Sequence, residues 1–430
     1  MKIVMVNNFL TPHGGAEFST VSTHALLLCH GHESVLFGCN RQPYFDVPLP
    51  HQADFPSYTR YEDLHLSVNH LGYNLKAAFK PFWNLEAKSR FDYFLDCIQP
   101  DLVHFNSIFW HLSPSLIQSC TQRNIPSVMT LHDSRLVCPA GTLLRGAHKS
   151  AATAGHYCVD LLCSTRGVGQ ALHHRCYDDS LAKSAFVALE FQFRKMHRQL
   201  NVVSHFICPS QALADVIQTG GRIEAHRLHV IANALSDDWF VPTPATTAGD
   251  YFLFVGRLSR EKGCHLLIDA MASLPPSIGL KIVGDGEQRT ALEAQANALG
   301  RTNIEFLGHL PPQHLKTVYG GAIALVLPCL WFEAFGRVLL ESMACGRPAI
   351  ASAIGGCTEI IQHEKTGLLI TPNHHDELVC AMRRLVENPD EALQWGSQAL
   401  ERSKREYHAT LCYQKHLALY EQTLSEAKTP

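Results

Sequence analysis

The sequence lacks any apolar run of the roughly 18 residues that a membrane-spanning helix needs, although 46% of its residues are hydrophobic. Its first residues, MKIVMVNNFL, carry a single lysine and a short apolar run. A glycine-containing loop and a helical pattern follow, so we interpret these residues as a first buried strand and not as a secretion signal. A cytoplasmic protein is therefore expected.

The chain also lacks a marked excess of positive or negative charge. The chain has 36 Lys and Arg against 39 Asp and Glu, which gives a formal net charge of −3. Proteins that bind nucleic acid usually carry a basic excess. We therefore expect no nucleic-acid partner for this chain.

Two motifs with well-defined chemistry are missing. The sequence has no G-x-G-x-x-G, which counts against an ordinary dinucleotide-binding dehydrogenase. It also has no C-x2-C pair, the tight spacing typical of zinc fingers. Its 15 cysteines are an odd number spread over the whole length. Without a secretion signal they are best explained as reduced, mostly buried small side chains.

Short apolar strands alternate with helical segments along the chain, which predicts an α/β protein with parallel sheets covered by helices. At 430 residues the chain exceeds the size of one ordinary core, so two large domains are expected. The predicted strands are residues 3–6, 34–37, 102–105, 127–131, 205–208, 228–231, 251–255, 280–283, 304–307, 322–327, 348–351 and 367–370.

The stretch VPTPATTAGD, rich in Pro, Thr and Ala, has the composition of a linker. We therefore assign one doubly wound domain to residues 1–240 and a second to residues 251–410. A poorly periodic stretch at about 135–198 is interpreted as an insertion in the first domain. A last helix, within 411–430, has no strand after it. Because doubly wound sheets bind ligands at the carboxyl ends of their strands, two such sheets facing each other form a ligand-binding cleft.

The stretch PCLWFEAFGRVLLESMACGRPAIASAIGGCTEII, at 328–361, places two carboxylates eight positions apart around the start of a helix. Glu333 follows an apolar strand, and Glu341 lies one turn inside a helix predicted at 338–345. The first helical amides, at 335–338, have no intrahelical partners and favour an anion. A phosphate site flanked by two acceptors for hydroxyl groups suits a sugar nucleotide.

This stretch resembles the E-x7-E signature of retaining glycosyltransferases of family 4, and the A-F-G-R-V, A-C-G-R-P and G-G-x-x-E runs match as well. The resemblance implies the GT-B architecture, with the last helix crossing back onto the first domain. It also implies that Glu333 orients the transferred sugar and Glu341 binds the ribose. We expect donor contacts around the helix start from Phe335, Gly336, Arg337 and Val338. A surface helix with two solvated glutamates is the alternative for a lone E-x7-E.

Arg257 and Lys262 lie in VGRLSREKG, between a strand and a helix. Two cations near unpaired amides make a diphosphate site. The run is similar to the G-R-x-x-x-x-K-G of the family, whose cations hold the leaving nucleoside diphosphate. Charge grows on the phosphate oxygen as the bond to the sugar breaks, so fixed cations favour the transition state. The alternative for this loop is a set of paired surface charges.

Three further sites follow from the resemblance. The pair Gly14 and Gly15, after the first strand, is similar to the glycine loop that faces the phosphates of the donor and the acceptor. His132, in T-L-H-D at the end of a strand, corresponds to a histidine near the reaction centre; a capping or core histidine is the alternative. Gly308 and His309 form the turn that cradles the nucleobase in the family.

Four cysteines lie close in sequence inside the insertion: Cys138, Cys158, Cys163 and Cys176. Four thiols could bind a structural Zn²⁺ tetrahedrally, but the spacing is not that of a knuckle. Unliganded thiols and a redox role stay open. No cofactor and no catalytic metal is expected, because cations and helix amides already neutralise a diphosphate.

Two stretches, 73–94 and 186–198, mix aromatic residues with Lys and Arg. Such stretches can lie peripherally on an anionic membrane, here the inner face, where many relatives meet lipid-linked acceptors. The alternative is a helix with one core-facing side and one solvated basic side.

These observations predict an enzyme that transfers a sugar from a UDP-, GDP- or ADP-sugar to a hydroxyl of a saccharide or lipid-linked acceptor, in polysaccharide or glycolipid synthesis. The alternatives are an epimerase of sugar nucleotides, or a catalytically degenerate relative that only binds them. A phosphorylase would need a lysine-bound pyridoxal phosphate, for which the sequence has no motif.

Overall fold

The structure is a computed structural model, and it describes residues 1–11, 14–39, 51–59, 77–145, 158, 162–221, 223–240, 247 and 249–428. Within these residues the chain forms two parallel sheets of six strands each. The predicted α/β fold with two doubly wound domains is therefore confirmed.

The first sheet contains strands from the N-terminal half of the chain. They are β1 (Lys2–Val6), β2 (Glu33–Phe37), β3 (Leu102–Phe105), β4 (Ser127–Thr130), β5 (His205–Cys208) and β6 (Leu228–Val230). Their spatial order is β2-β1-β3-β4-β5-β6, and every pairing is parallel. All four residues of β3, β4 and β5 are buried, as expected for strands covered by helices on both faces.

The helices described in this half are α1 (Gly15–Cys29), α2 (Leu85–Ile98), α3 (Ser115–Gln122), α4 (Leu162–Thr165), α5 (Gly169–His173), α6 (Leu181–Met196) and α7 (Gln211–Thr219). Among its described residues, the predicted insertion thus contains one long helix, α6, and two short ones. Ser180 caps α6 by accepting a hydrogen bond from the Lys183 amide, a start signal typical of helices.

The second sheet contains β7 (Tyr251–Val255), β8 (Gly279–Val283), β9 (Ile304–Gly308), β10 (Ala324–Leu327), β11 (Ala349–Ser352) and β12 (Gly367–Ile370). Its order is β12-β11-β10-β7-β8-β9, the Rossmann arrangement of strands. The helices are α8 (Cys264–Met271), α9 (Arg289–Ala298), α10 (Pro312–Gly320), α11 (Arg337–Ala344), α12 (Cys357–Ile360), α13 (His375–Glu387), α14 (Pro389–Glu406) and α15 (Ala409–Lys428).

The strand order of the second sheet reverses between β7 and β10, which are paired neighbours. Such a switch point leaves a crevice outside the carboxyl ends of the two strands, because the connections that leave them run to opposite sides. Residues that follow β7 and β10 are therefore placed at the mouth of one crevice. Both acidic and basic candidates of the second domain lie in these two connections.

Helix α15 packs on the first domain although it follows the second in sequence. Tyr420 is completely buried in the core of the first domain, and its hydroxyl lies 2.7 Å from His104 Nδ1. His205 Nε2 lies 2.9 Å from Glu426 Oε2 near the end of the helix. The last helix thus crosses back and ties the C-terminal end of the chain to the first sheet.

Candidate functional site

The two connections at the switch point meet in an ion pair. Lys262, in the connection after β7, places its Nζ 2.5 Å from Oε2 of Glu333, in the connection after β10. Both side chains are largely shielded from solvent, at 17% and 13% exposure. The indole N–H of Trp331 donates to the same Glu333 oxygen at 3.1 Å. The structure therefore brings together two of the residues that the sequence analysis singled out.

The pair holds Lys262 in its charged form. Burial disfavours the ammonium, but the Glu333 carboxylate outweighs this and raises the pKa of Lys262 above its usual value. Its Nζ also lies 4.9 Å from the centre of the Trp331 ring, a distance at which a cation is attracted by the ring face. A fixed positive charge thus stands at the mouth of the crevice.

Close backbone packing fixes the two connections against each other. Gly263 has φ +73°, and a Cβ at this position would lie 2.0 Å from the Pro328 carbonyl oxygen. Any side chain would push the loops apart, so glycine is needed directly after Lys262. The Leu330 amide also donates to the Glu261 carbonyl at 2.7 Å.

Helix α11 begins at Arg337, directly after Gly336, which has φ +90°. This left-handed conformation favours glycine and turns the chain from the Glu333 loop into the helix. Phe335 is buried at 5% exposure in the core of the second domain, so its side chain anchors the turn. Val338 lies half-buried in the first turn.

Glu341 is buried in the second turn of α11, at 5% exposure. The Arg337 Nε donates to Oε1 at 2.8 Å, and the Tyr319 hydroxyl donates to Oε2 at 2.9 Å. Burial and the Glu341 charge raise the pKa of Tyr319 well above its usual value, so Tyr319 stays protonated as a donor. The Arg337 guanidinium also lies 4.4 Å from the centre of the Phe18 ring in the first domain.

Arg257 is more open than Lys262. Its side chain is 60% exposed and forms a 3.0 Å ion pair with Glu261 of the same loop. Such an exposed pair contributes little to stability, so the guanidinium can exchange this partner for an anion. Lys262 and Arg257 are close enough for the charge of Arg257 to oppose that of Lys262.

On the first domain, His132 follows β4 and is half-buried. Its Nε2 lies 3.0 Å from Asn106 Oδ1, which follows β3. Burial lowers the pKa of His132 to about 4, so the imidazole is neutral at pH 7. The Asn106 Nδ2 atom is buried and has no hydrogen-bond partner among the described residues. Buried donors normally have a hydrogen-bond partner, so the Asn106 Nδ2 atom is available to donate to a bound ligand.

Gly14 is the N-cap of α1 and has an extended backbone. A Cβ here would lie 2.7 Å from Glu17 Oε2, so the Glu17 carboxylate lies against this glycine loop. Gly15 has open space where a side chain would stand. At the far side of the second sheet, Gly308 ends β9 and His309 is exposed beside it.

Burial, followed by the charges of Cys138, Cys176 and Cys158, raises the pKa of Cys163 in the insertion to about 12. Within the part of the chain that the structure describes, however, no group of three or more His, Cys, Asp or Glu side chains is placed to hold a metal ion. The zinc hypothesis therefore stays a prediction from the sequence.

Two positions of this site were missed in the sequence. Tyr319 lies on α10, far from the motif, and only the fold brings it to Glu341. Asn106 had a usable signal, because it is a polar residue directly after a buried strand, beside the strand that precedes His132.

Two family models match the chain, one for each domain. The model described as Glycosyl transferases group 1 matches residues 236–402. The model described as Glycosyltransferase Family 4 matches residues 13–239, more than half of the chain. The chain belongs to glycosyltransferase family 4.

Curated relatives of this glycosyltransferase match parts of it. The D-rhamnosyltransferase WbpZ of Pseudomonas aeruginosa is 34% identical over 228 residues, which are 50% of this chain and 58% of WbpZ. An uncharacterized glycosyltransferase of Methanocaldococcus jannaschii is 38% identical over 139 residues, 32% of this chain and 35% of the relative. The chain spans about one third to three fifths of the length of the first relatives it matches.

Solved structures match this glycosyltransferase over its full length. The sucrose-phosphate synthase of Thermosynechococcus elongatus has a TM-score of 0.71 at 20% identity, over 99% of this chain and 100% of that one. Anabaena HepE in complex with UDP-glucose has a TM-score of 0.63 at 20% identity, over 99% and 100% of the two chains. The likeness shows a shared fold, and the predicted GT-B architecture is confirmed.

Among the described residues of this glycosyltransferase, no helix is both long and apolar enough to cross a membrane.

Proposed function

We propose that this glycosyltransferase moves a sugar from a nucleoside-diphosphate sugar to a hydroxyl acceptor, with retention of the anomeric configuration. The observation that carries the proposal is the shielded pair of Lys262 and Glu333 at the switch point of the second domain. It places a fixed cation and a fixed carboxylate side by side. The cation suits the diphosphate of a donor, and the carboxylate suits the hydroxyls of its sugar.

Lys262 and Arg257 would stabilise the diphosphate as it leaves. The bond between the anomeric carbon and the phosphate oxygen breaks, and negative charge develops on that oxygen. Preorganised cations are worth more there than in water, because they need no reorganisation during the reaction. The unpaired amides at the start of α11 favour the same charge. In this proposal the transfer requires no cofactor and no metal.

Glu333 would orient the transferred sugar. Lys262 and Trp331 both contact its Oε2, so Oε1 can accept a bond from a sugar hydroxyl. The acceptor hydroxyl attacks the anomeric carbon on the face from which the diphosphate departs, and its proton passes to the departing phosphate oxygen. Glu333 forms no covalent bond in this scheme.

Glu341 would bind the ribose. Each of its oxygens takes one donor within the protein, Arg337 or Tyr319. A carboxylate oxygen has two lone pairs, so each can accept a ribose hydroxyl as well. Arg337 thereby orients Glu341 besides offering its charge to the donor. Gly308 and His309 would line the nucleobase, and the neutral His132 would contact the sugar from the first domain.

The test is a transfer assay with UDP-, GDP- and ADP-sugars and a panel of saccharide and lipid-linked acceptors. Proton NMR of the earliest product, before any mutarotation, gives its anomeric configuration. The proposal expects a new glycosidic bond with the configuration of the donor, and the inverted product would contradict it. Conversion of the donor to an epimer, or tight binding without any turnover, would favour the two alternative functions.

We also propose peripheral contact of the first domain with an anionic membrane. Leu181, Leu189 and Met196 are exposed at 53%, 63% and 68%, and their spacing of about two turns places them on one face of α6. Lys195, next to Met196 in the sequence, lies at the edge of the same face. Apolar side chains flanked by cations are typical of helices that lie on anionic bilayers.

Sedimentation with vesicles tests this contact. Binding to vesicles rich in phosphatidylglycerol, and not to phosphatidylcholine vesicles, should be weakened by Leu189→Glu with Met196→Glu. Leu28→Glu is the matched control, because Leu28 is 48% exposed elsewhere on the first domain. Equal sedimentation of all three proteins would contradict a membrane-facing α6.

A further inference from the structure

One carboxylate of the second domain is bound by the first domain. Glu359 on α12 accepts hydrogen bonds from the backbone amides of Gln211 and Ala212, at 2.9 and 2.6 Å. These amides are the first two of α7, which have no partner inside their own helix. The positive end of the helix dipole also favours a carboxylate at this position.

A second contact lies beside the first. The Ser210 hydroxyl donates to the Ala334 carbonyl at 2.6 Å, and it accepts from the Leu213 amide as the N-cap of α7. The N-terminal end of α7 is therefore hydrogen-bonded to two residues of the second domain, Ala334 and Glu359. We call this set of contacts the interdomain clamp: Ser210, Gln211, Ala212, Ala334 and Glu359.

The clamp is attached firmly on the side of the second domain. The buried Arg402 donates from its Nη2 to the Glu359 carbonyl at 2.7 Å. The Gly356 amide donates to the Glu333 carbonyl at 2.8 Å. A Cβ at Gly355 would lie 2.2 Å from the same carbonyl oxygen, so α12 and the Glu333 loop pack as one unit.

On the side of the first domain the clamp reaches the strand next to His132. Helix α7 follows β5, which pairs with β4, and the Leu131 amide donates to the Ile207 carbonyl at 2.8 Å. His132 is the next residue. The clamp thus joins the strand ends that carry His132 to the loop that carries Glu333.

We propose that Glu359 is a positioning residue, which holds the two domains in the closed arrangement that presents the acceptor side of the cleft to Glu333. Its catalytic consequence rests on the proposed function, whereas its effect on domain closure does not. Glu359 does not touch substrate in this proposal and acts through the backbone of α7.

Two measurements test the clamp on the full chain. Small-angle X-ray scattering gives the radius of gyration, and steady-state transfer gives kcat and the acceptor KM. Glu359→Ala removes two charge-assisted hydrogen bonds, so we expect a larger radius of gyration and a loss of kcat/KM for the acceptor on the order of tenfold. Binding of the nucleoside diphosphate, which needs the second domain, should stay within about twofold of the parent, below the tenfold step that 1.4 kcal/mol represents.

Glu377→Ala is the matched control. Glu377 also accepts a hydrogen bond from a backbone amide, that of Thr371 at 2.6 Å, but both lie within the second domain. This variant should keep the radius of gyration and the acceptor KM of the parent. Glu359→Gln keeps an acceptor without the charge, so it should recover part of the loss. Ser210→Ala, on the other side of the clamp, should open the protein less than Glu359→Ala.

A parent-like radius of gyration in both Glu359→Ala and Ser210→Ala would overturn the proposal. If Glu359→Ala does not fold, Glu359→Gln and Ser210→Ala decide in its place. If the parent transfers no sugar, the proposed function fails, and scattering still shows whether the clamp closes the domains.

Discussion

The two domains have the same doubly wound architecture but hold their candidate residues differently. In the second domain Lys262, Glu333 and Glu341 each have short contacts to neighbours that fix their orientation. In the first domain His132 is hydrogen-bonded to Asn106, whose buried Nδ2 donor has no partner among the described residues. In the proposed function, the second domain is therefore preorganised for its ligand, whereas His132 and Asn106 of the first domain gain a further polar partner only when substrate binds.

The largest effect is expected from the pair at the switch point of the second domain. In Lys262→Ala, the Glu333 carboxylate stays shielded from water but loses its cation. The substitution also removes the positive charge that would stabilise the leaving diphosphate. We expect kcat for transfer to fall by about 10²–10³-fold, as for other preorganised groups of this kind. Lys281→Ala is the control, because Lys281 lies on β8 and its Nζ faces the Tyr251 ring at 4.1 Å. A kcat equal to that of the parent would contradict the role of Lys262.

A smaller effect is expected when only the orientation of Glu341 is disturbed. Tyr319→Phe removes the hydroxyl that donates to Oε2 of Glu341 and keeps the ring in its place. The buried carboxylate then lacks one charge-assisted bond, worth about 1.5–3 kcal/mol, so donor affinity should fall by about tenfold while kcat on bound donor changes little. Calorimetric titration with the donor measures this. Equal donor affinity in Tyr319→Phe and the parent would contradict the assignment of Glu341 to ribose binding.

Much of this comparison was predictable from the sequence. Glu333, Lys262 and Gly336 lie in short motifs whose spacing follows from strand–loop–helix geometry, so their placement at the switch point of the second domain could be predicted. The contacts of Tyr319 and Phe18 with α11 could not be predicted, because both residues reach this helix from distant parts of the chain. Glu359 was visible only as part of a matching run, and its bond to α7 needs the relative placement of both domains. Helix α6 falls within the stretch predicted as a poorly periodic insertion, and it carries two exposed leucines, Leu181 and Leu189.

The smallest effect is a loss of stability at acidic pH, which we expect mainly in the first domain. Burial lowers the pKa of His132 and of His416, on α15, to about 4 each. His104, which faces His416 and Tyr420 on α15 and Thr130 on β4, also has its pKa lowered well below 6.5 by burial. These groups favour the neutral form in the folded state. Their stabilisation is therefore full above about pH 6.5 and is lost as the pH falls towards 4.

Hydrogen exchange at pH 7.0 and 5.0 measures this difference between the domains. Amides of β3 and β4 should lose protection on acidification before amides of β7 and β10. Replacing His416 by Gln should reduce the pH dependence of the first domain, because one buried titrating group is gone. Earlier loss in the second domain, or an equal loss in both, would contradict this account.

The most direct test of the central claim is thermal unfolding with a panel of nucleoside-diphosphate sugars, in parent, Glu341→Ala and Glu377→Ala. A ligand at 100 times its Kd stabilises a protein by about 2.7 kcal/mol. We predict that a sugar nucleotide raises the unfolding temperature of the parent and of Glu377→Ala, and that the shift is lost in Glu341→Ala. No shift in the parent with any donor of the panel, or an undiminished shift in Glu341→Ala, would contradict a donor site at α11.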